Sequence, residues 1–187
     1  MYKIENISFG PCVDSDFVKS KRMHYTQGGE EKMWDLVEVH DSVAVLIYHK
    51  GREAFVLVKQ FRPPVYLNNG DGFTYELCAG IVDKDLSLLE IAQEEVLEET
   101  GYAVTPDRIK KVTSFYTAVG FAGAKQELYY VAVDDEDKIS DGGGIHDEAI
   151  EVVHLPVHEA KEFIYNESKA KTPGLMFAMT WWFARLK

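Results

Sequence analysis

The chain has 187 residues, 46% of them hydrophobic and 27% charged, enough for one domain with a sizeable core and a small extra arm. Its formal net charge of −11 speaks against a nucleic-acid duplex as the main partner, because phosphate contacts are made chiefly by Lys and Arg. A small anionic substrate stays open if local cations or a bound metal offset that field.

No apolar run approaches the roughly 20 residues of a bilayer span, so no membrane association is expected. The opening MYKIENISFG lacks the basic-then-apolar form of a signal peptide. Cys12 and Cys78 form no disulfide framework, and the expected setting is a reducing cytoplasm. Residues 1–40 read as short strands and turns, with QGG at 27–29 punctuating a hairpin. SVAVLIY (42–48) reads as a buried strand, KGR (50–52) as a turn and AFVLVKQF (54–61) as the return strand. Pro63 and Pro64 stop that strand, NNGDG (68–72) is a polar loop, and residues 73–78 form a further strand. Residues 88–100 are the one strongly helical segment. Strands follow near 110–118, 127–133 and 149–155, with GGG at 142–144 making a flexible loop before the last. Residues 157–165 suit a helix after Pro156, and a final helix begins at Pro173 with Thr172 as its N-cap. Strands dominate, with about three helices, and the expected class is an α+β or α/β sandwich. No internal repeat or low-complexity segment interrupts the pattern.

The stretch EEVLEETGY (94–102) places Glu94, Glu95, Glu98 and Glu99 within six positions and includes no Lys or Arg. Ser87 and Glu90 have the form of a capping box, and Gly101 fits the left-handed position that ends a helix, so the helix boundaries are set independently of the acids. At about 100° per residue, Glu95, Glu98 and Glu99 share one arc beside an apolar stripe of Leu89, Ala92 and Val96. Like charges three and four residues apart repel, and acids near a helix C-terminus oppose its dipole. A solvated acidic face is one reading. The other is a set of carboxylate oxygens suited to a hard divalent ion such as Mg²⁺ or Mn²⁺.

The longer segment GIVDKDLSLLEIAQEEVLEETGY (80–102) resembles the Nudix box: a Gly, a Glu six positions on, then Arg-Glu-apolar-x-Glu-Glu-x-Gly-apolar. Gly80, Glu95, Val96, Glu98, Glu99, Gly101 and Tyr102 match at the family's spacing. Leu86 replaces the early Glu and Glu94 replaces the Arg. In the family those two mainly support the loop-helix geometry, and Asp83, Asp85 or Glu90 are the local substitutes. The flanking segments VKQFRP (58–63), YELCAG (75–80), WDLVEVHDSVAV (34–45) and IEVVHLP (150–156) are similar to the nucleotide-sugar branch of the same family. The resemblance covers roughly residues 1–185.

That resemblance implies an α+β Nudix fold, an α/β/α sandwich with a mixed β-sheet. It also implies an N-terminal β-strand arm (1–40) pairing with a second subunit of a homodimer, and a hydrolase domain over 41–187. The implied activity is Mg²⁺-dependent hydrolysis, with Mn²⁺ as the other ion, of the pyrophosphate bond of a nucleoside diphosphate sugar. UDP-glucose giving UMP and glucose 1-phosphate comes first, and ADP-ribose or another nucleotide sugar second. An inactive nucleotide-sensing module, suggested by Leu86 and Glu94, is the alternative of another class. The implied metal ligands are Glu95, Glu98 and Glu99, the backbone carbonyl of Ala79, and Glu148 from the loop after the glycines. Glu148 and Glu98 are the candidates for the catalytic base, with Asp147 and Glu151 competing for the role of loop acid. Arg62 would hold the diphosphate, and Glu76 would bind substrate or orient Arg62. Trp34 would stack the base, and Lys125 would reach a phosphate from the GFAG loop (120–123). Each has a plainer role as well: a surface ion pair, a strand acid, a packing or dimer contact, a solvated Lys. Trp181, Trp182 and Phe183 of the last helix either close the core or add to a subunit interface. The six His show no metal-ligand spacing.

Overall fold

Residues 43–47 and 54–58 are buried on both faces, as continuous apolar runs are when helices cover a sheet from two sides. They are the hearts of strands β3 and β4 in a computed structural model that describes residues 4–15, 17–145 and 148–185. In chain order the elements are β1 (Lys19–Gln27), β2 (Glu30–Glu38), β3 (Ser42–His49), β4 (Ala54–Phe61), α1 (Pro63–Asn69), β5 (Phe73–Glu76), β6 (Cys78–Ile81) and α2 (Leu88–Thr100). There follow β7 (Lys110–Thr117), β8 (Ala124–Val133), β9 (Glu151–Pro156), α3 (Val157–Tyr165) and α4 (Pro173–Ala184).

The main sheet runs β5-β4-β3-β8-β7, with β6 also on β3 and β9 also on β4. It is mixed: β3 and β8 are parallel and the other pairs antiparallel. Alternate residues of β3 feed opposite layers, the period of a strand. Val43, Val45 and Ile47 pack with Ile91, Ala92 and Val96 of α2. Ala44 and Leu46 pack with Ala160 and Ile164 of α3 and with Leu175, Ala178 and Met179 of α4. The fold is therefore the expected α/β/α sandwich. Trp181, Trp182 and Phe183 pack against the second layer and close it. Among the described residues no helix is long and apolar enough to cross a membrane.

Two features depart from the sequence pattern. Residues 63–69, expected as a strand stop and polar loop, form helix α1. Its two prolines occupy the first helical positions, where no amide is needed, and Gly70 in the left-handed region ends it at φ 71°. Residues 73–78, expected as one strand, are two. β3 pairs with β6 over residues 42–45 and with β4 over 47–49, so the sheet forks. β5 lies on the β4 side of that fork and β6 on the β3 side, and the chain crosses between them at Leu77.

β1 and β2 form a separate two-stranded sheet whose residues are almost all exposed. Among the described residues two hydrogen bonds tie it to the sandwich: Val37 N donates to Phe121 O at 2.8 Å, and Trp34 Nε1 donates to Gly120 O at 2.8 Å.

Candidate active site

The site is set by how α2 is fixed on the sheet. Its start carries both bonds of the capping box: Glu90 N donates to Ser87 Oγ and Ser87 N donates to Glu90 Oε2. Ile91, Ala92 and Val96 bury one stripe, with Leu89 half-buried beside it. That rotation turns Glu95 and Glu99 toward β6. Glu99 is 3% exposed, and its Oε2 accepts the Ala79 N–H at 2.9 Å. Gly80 follows, and a Cβ there would stand 2.0 Å from Glu95 Oε1. Glycine thus permits the close approach of the Glu95 carboxyl to the strand.

Burial is the largest influence on both acids. It pushes Glu99 up to about 8, against hydrogen bonds from Ala79 N and the Cys78 thiol that favour the carboxylate. It pushes Glu95 up to about 7, with the neighbouring Glu98 adding to the rise and Lys84 opposing it. Glu98, half-buried, lies on the same edge.

The C-terminal end of α2 is covered by the glycine-rich loop. Gly143 N donates to Glu99 O at 2.8 Å, Gly144 N to Glu98 O at 3.1 Å, and Lys138 Nζ to Thr100 O at 2.6 Å. These donors satisfy carbonyls that a helix end leaves open and set a cation on its negative pole. Glu148 then folds back, its Oε2 accepting from Ile145 N at 2.9 Å. Its charge raises Glu95 and Glu99 and also Arg62, so the expected loop acid shares their space. Asp147 lies outside the described residues. Glu151 opens β9 and faces Lys59 at 3.8 Å, away from this group.

Arg62 and Glu76 form a two-bond pair across β4 and β5: Nε to Oε1 at 2.8 Å and Nη2 to Oε2 at 2.7 Å. Thr74 Oγ1 donates to the same carboxylate. The Glu76 bond raises Arg62 above its usual range, helped by Glu99 and Glu148. Among the described residues Nη1 makes no hydrogen bond, so one arm of the guanidinium remains available beside the acids.

Glu94, at the family's Arg position, pairs with Lys84 Nζ at 2.7 Å. Of the substitutes expected from sequence, Glu90 ties the loop to α2 at Ser87, and among the described residues Asp83 and Asp85 form no such tie. The loop-helix tie exists with reversed polarity: the cation on the loop, the anion on α2. Two expected substrate residues stand apart. Trp34 is 53% exposed on the hairpin, its Nε1 fixed to Gly120 O. Lys125 is exposed on β8, next to Gln126 and Glu127, the latter held by Lys111 Nζ at 2.6 Å and the Tyr129 hydroxyl at 2.7 Å. Sequence spacing missed a cavity of about 340 Å³ that opens beside Glu76 and Ala79 on the α4 side of the sheet. Its walls come from β3, residues 76–79, β7 with Ala118, β8 and the start of α4, and only residues 76–79 belong to a motif visible in the sequence.

The donor set suits a hard divalent ion. It is all oxygen, and burial favours the protonated form of Glu95 and Glu99, so a cation would bind in exchange for protons. Among the described residues no three carboxylates already converge on one point. Glu99 accepts from Ala79 N and Glu148 from Ile145 N through Oε2 alone, and a carboxylate has a second oxygen with which to serve as a ligand.

A sandwich whose capped acidic helix faces a Gly-bearing strand defines a class, and residues 38–173 match the family model described as the NUDIX domain. The chain belongs to the NUDIX domain family. It is 38% identical to uridine diphosphate glucose pyrophosphatase NUDT14 of Bos taurus, over 98% of this chain and 96% of that protein. It is 34% identical to the Mus musculus protein of the same name, over 100% and 97%. It is 35% identical to a GDP-mannose pyrophosphatase of Cronobacter sakazakii, over 80% and 71%.

Proposed function

We propose that the chain hydrolyses the pyrophosphate bond of a nucleoside diphosphate sugar, with UDP-glucose giving UMP and glucose 1-phosphate as the first substrate. The observation that carries this reading is the juxtaposition of Arg62, with its unbonded Nη1, and the carboxyls of the buried Glu99 and of Glu148. A diphosphate needs both a fixed cation and a site for mobile ones. The names of the relatives point the same way.

Mg²⁺, or Mn²⁺ in its place, would be held by Glu95, Glu98 and Glu99 with the Ala79 carbonyl and Glu148. Bound there, it would offset diphosphate charge and lower the pKa of a bound water. The chain's own groups do the rest. Arg62 grips a phosphate oxygen through Nη1, and Glu76 holds the guanidinium in plane for it. Glu148 or Glu98 takes the proton of the attacking water. Trp34 is assigned to stacking the base, and Lys125 to a phosphate reached from the GFAG loop. The arm of residues 1–40 docks on a second copy, and residues 41–187 carry the chemistry. Both cysteines are free, and a reducing cytoplasm is the setting we assign.

A panel of nucleotide sugars with Mg²⁺ and a phosphate-release readout tests this. ADP-ribose turned over well and UDP-glucose not at all overturns the substrate. No turnover across the panel favours the nucleotide-sensing alternative that Leu86 and Glu94 suggest.

A further inference from the structure

We infer that the crevice between strand β7 and helix α4 is a docking surface for an extended segment of another protein, apolar at one end and acidic at the other, which adds to the sheet as a further strand. The crevice lies on the face of the sheet opposite α2.

The main sheet ends at β7. That strand pairs with β8 on one side, and among the described residues no backbone hydrogen bond reaches its other side. A free edge is a template for another strand. α4 runs alongside it. Residues 113–115 share one hollow with Gly174 and Phe177, and residues 110–112 share the next with Trp181 and Arg185. The hollows therefore lie end to end, with strand and helix antiparallel. At ordinary rises, residues 110–115 of the strand and 174–185 of the helix each extend roughly 17 Å, room for about five residues of extended chain. At such an edge the main-chain bonds give affinity and alternate side chains give specificity.

The two ends differ in chemistry. At the Gly174 end the walls are Phe115, Phe177 and Pro173, the two rings 6.0 Å apart and Phe177 46% exposed. Apolar side chains of a partner would bury that surface. At the other end Trp181 packs on Tyr130 and carries the Arg185 guanidinium 4.8 Å from its ring centre, and Lys110 lines the same hollow. Lys111 is held by Glu127 at 2.6 Å. Lys110 and Arg185 have no carboxylate partner among the described residues. In a chain of net charge −11, unneutralised cations beside an aromatic floor call for carboxylates from outside. The lysines, with the bulge between Lys111 and Thr113, also blunt the edge against indiscriminate pairing. A second copy of β7, KKVTSFYT, would bring more lysines and no acid, which disfavours self-pairing.

The probe is the peptide acetyl-Val-Thr-Val-Thr-Glu-Glu-amide, which laid antiparallel to β7 brings its acids to Lys110 and Arg185. Calorimetry of the full chain should show saturable binding, weakened by salt and about tenfold or more tighter than for a twin ending in Lys-Lys. Of two versions methylated at alternate amides, the one blocked on the side facing β7 should lose binding and the other keep it. Hydrogen exchange should slow at residues 110–117. Lys110→Glu and Arg185→Glu should each weaken the acidic peptide severalfold, and the double variant should prefer the Lys-ended twin, with hydrolysis of nucleotide sugars unchanged. The inference is overturned if both peptides bind alike, if neither binds, if both methylated versions bind, or if exchange slows only elsewhere. Amides of 110–117 that are already slow in the free chain and quicken on dilution would place a second copy there and overturn it too.

Discussion

Glu99 carries the largest share of the site's tension. It is a buried acid whose proton is favoured by desolvation while two hydrogen bonds favour its charge. Changing it to Gln keeps the shape and removes the charge a divalent ion needs. Turnover should fall by several orders of magnitude while the melting temperature of the metal-free protein holds or rises; unchanged turnover would contradict the catalytic reading. The pH dependence follows from the direction of the shifts. Glu95 and Glu99 hold their protons more tightly folded than unfolded, at about 7 and about 8. Their contribution to stability is therefore full below the ordinary carboxylate range and is lost as pH rises through 7 and 8. The metal-free protein should melt progressively lower from the ordinary carboxylate range up to about pH 8 and level off above it, as scanning calorimetry would show. Metal must displace those protons, so affinity should rise over the same window with measurable proton release. A flat profile in both would mean the two acids are ordinary surface carboxylates. Gly80→Ala places a carbon where the Glu95 carboxyl sits. A metal titration should show about a 10- to 100-fold loss of affinity with the fold retained. At this scale the spacing of Gly80, Glu95, Glu98 and Glu99 is plain in the chain. The burial of Glu99, and hence its proton, is not, because it depends on Ala79 twenty residues earlier lying alongside.

The helix boundaries were readable because they are local. Ser87 with Glu90 begins α2, Gly101 ends it at φ 74°, and Thr172 with Pro173 begins α4. Helix α1 was not readable, because it buries no residue and so has no apolar stripe. The break between β5 and β6 was not readable either. Which neighbour a strand takes is a tertiary choice, and residues 73–78 look alike on both sides of the fork. The reversed Lys84–Glu94 tie falls between these cases: Glu94 stood out, but its partner did not. Both ends are about two-fifths exposed, so the pair contributes only about 0.2–1 kcal/mol. Its expected effect is positional. Lys84→Glu alone should raise the metal concentration for half-maximal activity severalfold, through repulsion from Glu94, Glu95 and Glu98. Combining it with Glu94→Arg should restore most of the loss. A double variant no better than the single one would show that the loop is held by the capping box alone.

For the whole molecule, the sandwich was predictable from the alternation of strands and helices, and its second helical layer from the apolar last helix. The placement of the hairpin was not. A two-stranded ribbon is marginally stable in water by itself. This one leaves Met23, Met33 and Trp34 more than half exposed and, among the described residues, is tied to the sandwich by two hydrogen bonds. Light scattering should therefore report two copies for the full chain and one for residues 41–187, with the shorter chain still folded by circular dichroism. A full chain that scatters as one copy at micromolar concentration would leave the arm without this role. The loop of Glu148 has a consequence of another kind. Its glycines are fastened to the carbonyls of Glu98 and Glu99, the very residues whose side chains the loop acid must meet. Any drift of the helix drags the leash with it, so donor and acceptor groups keep step through thermal motion, and the reach of the swinging arm is measured from the helix rather than from the distant sheet.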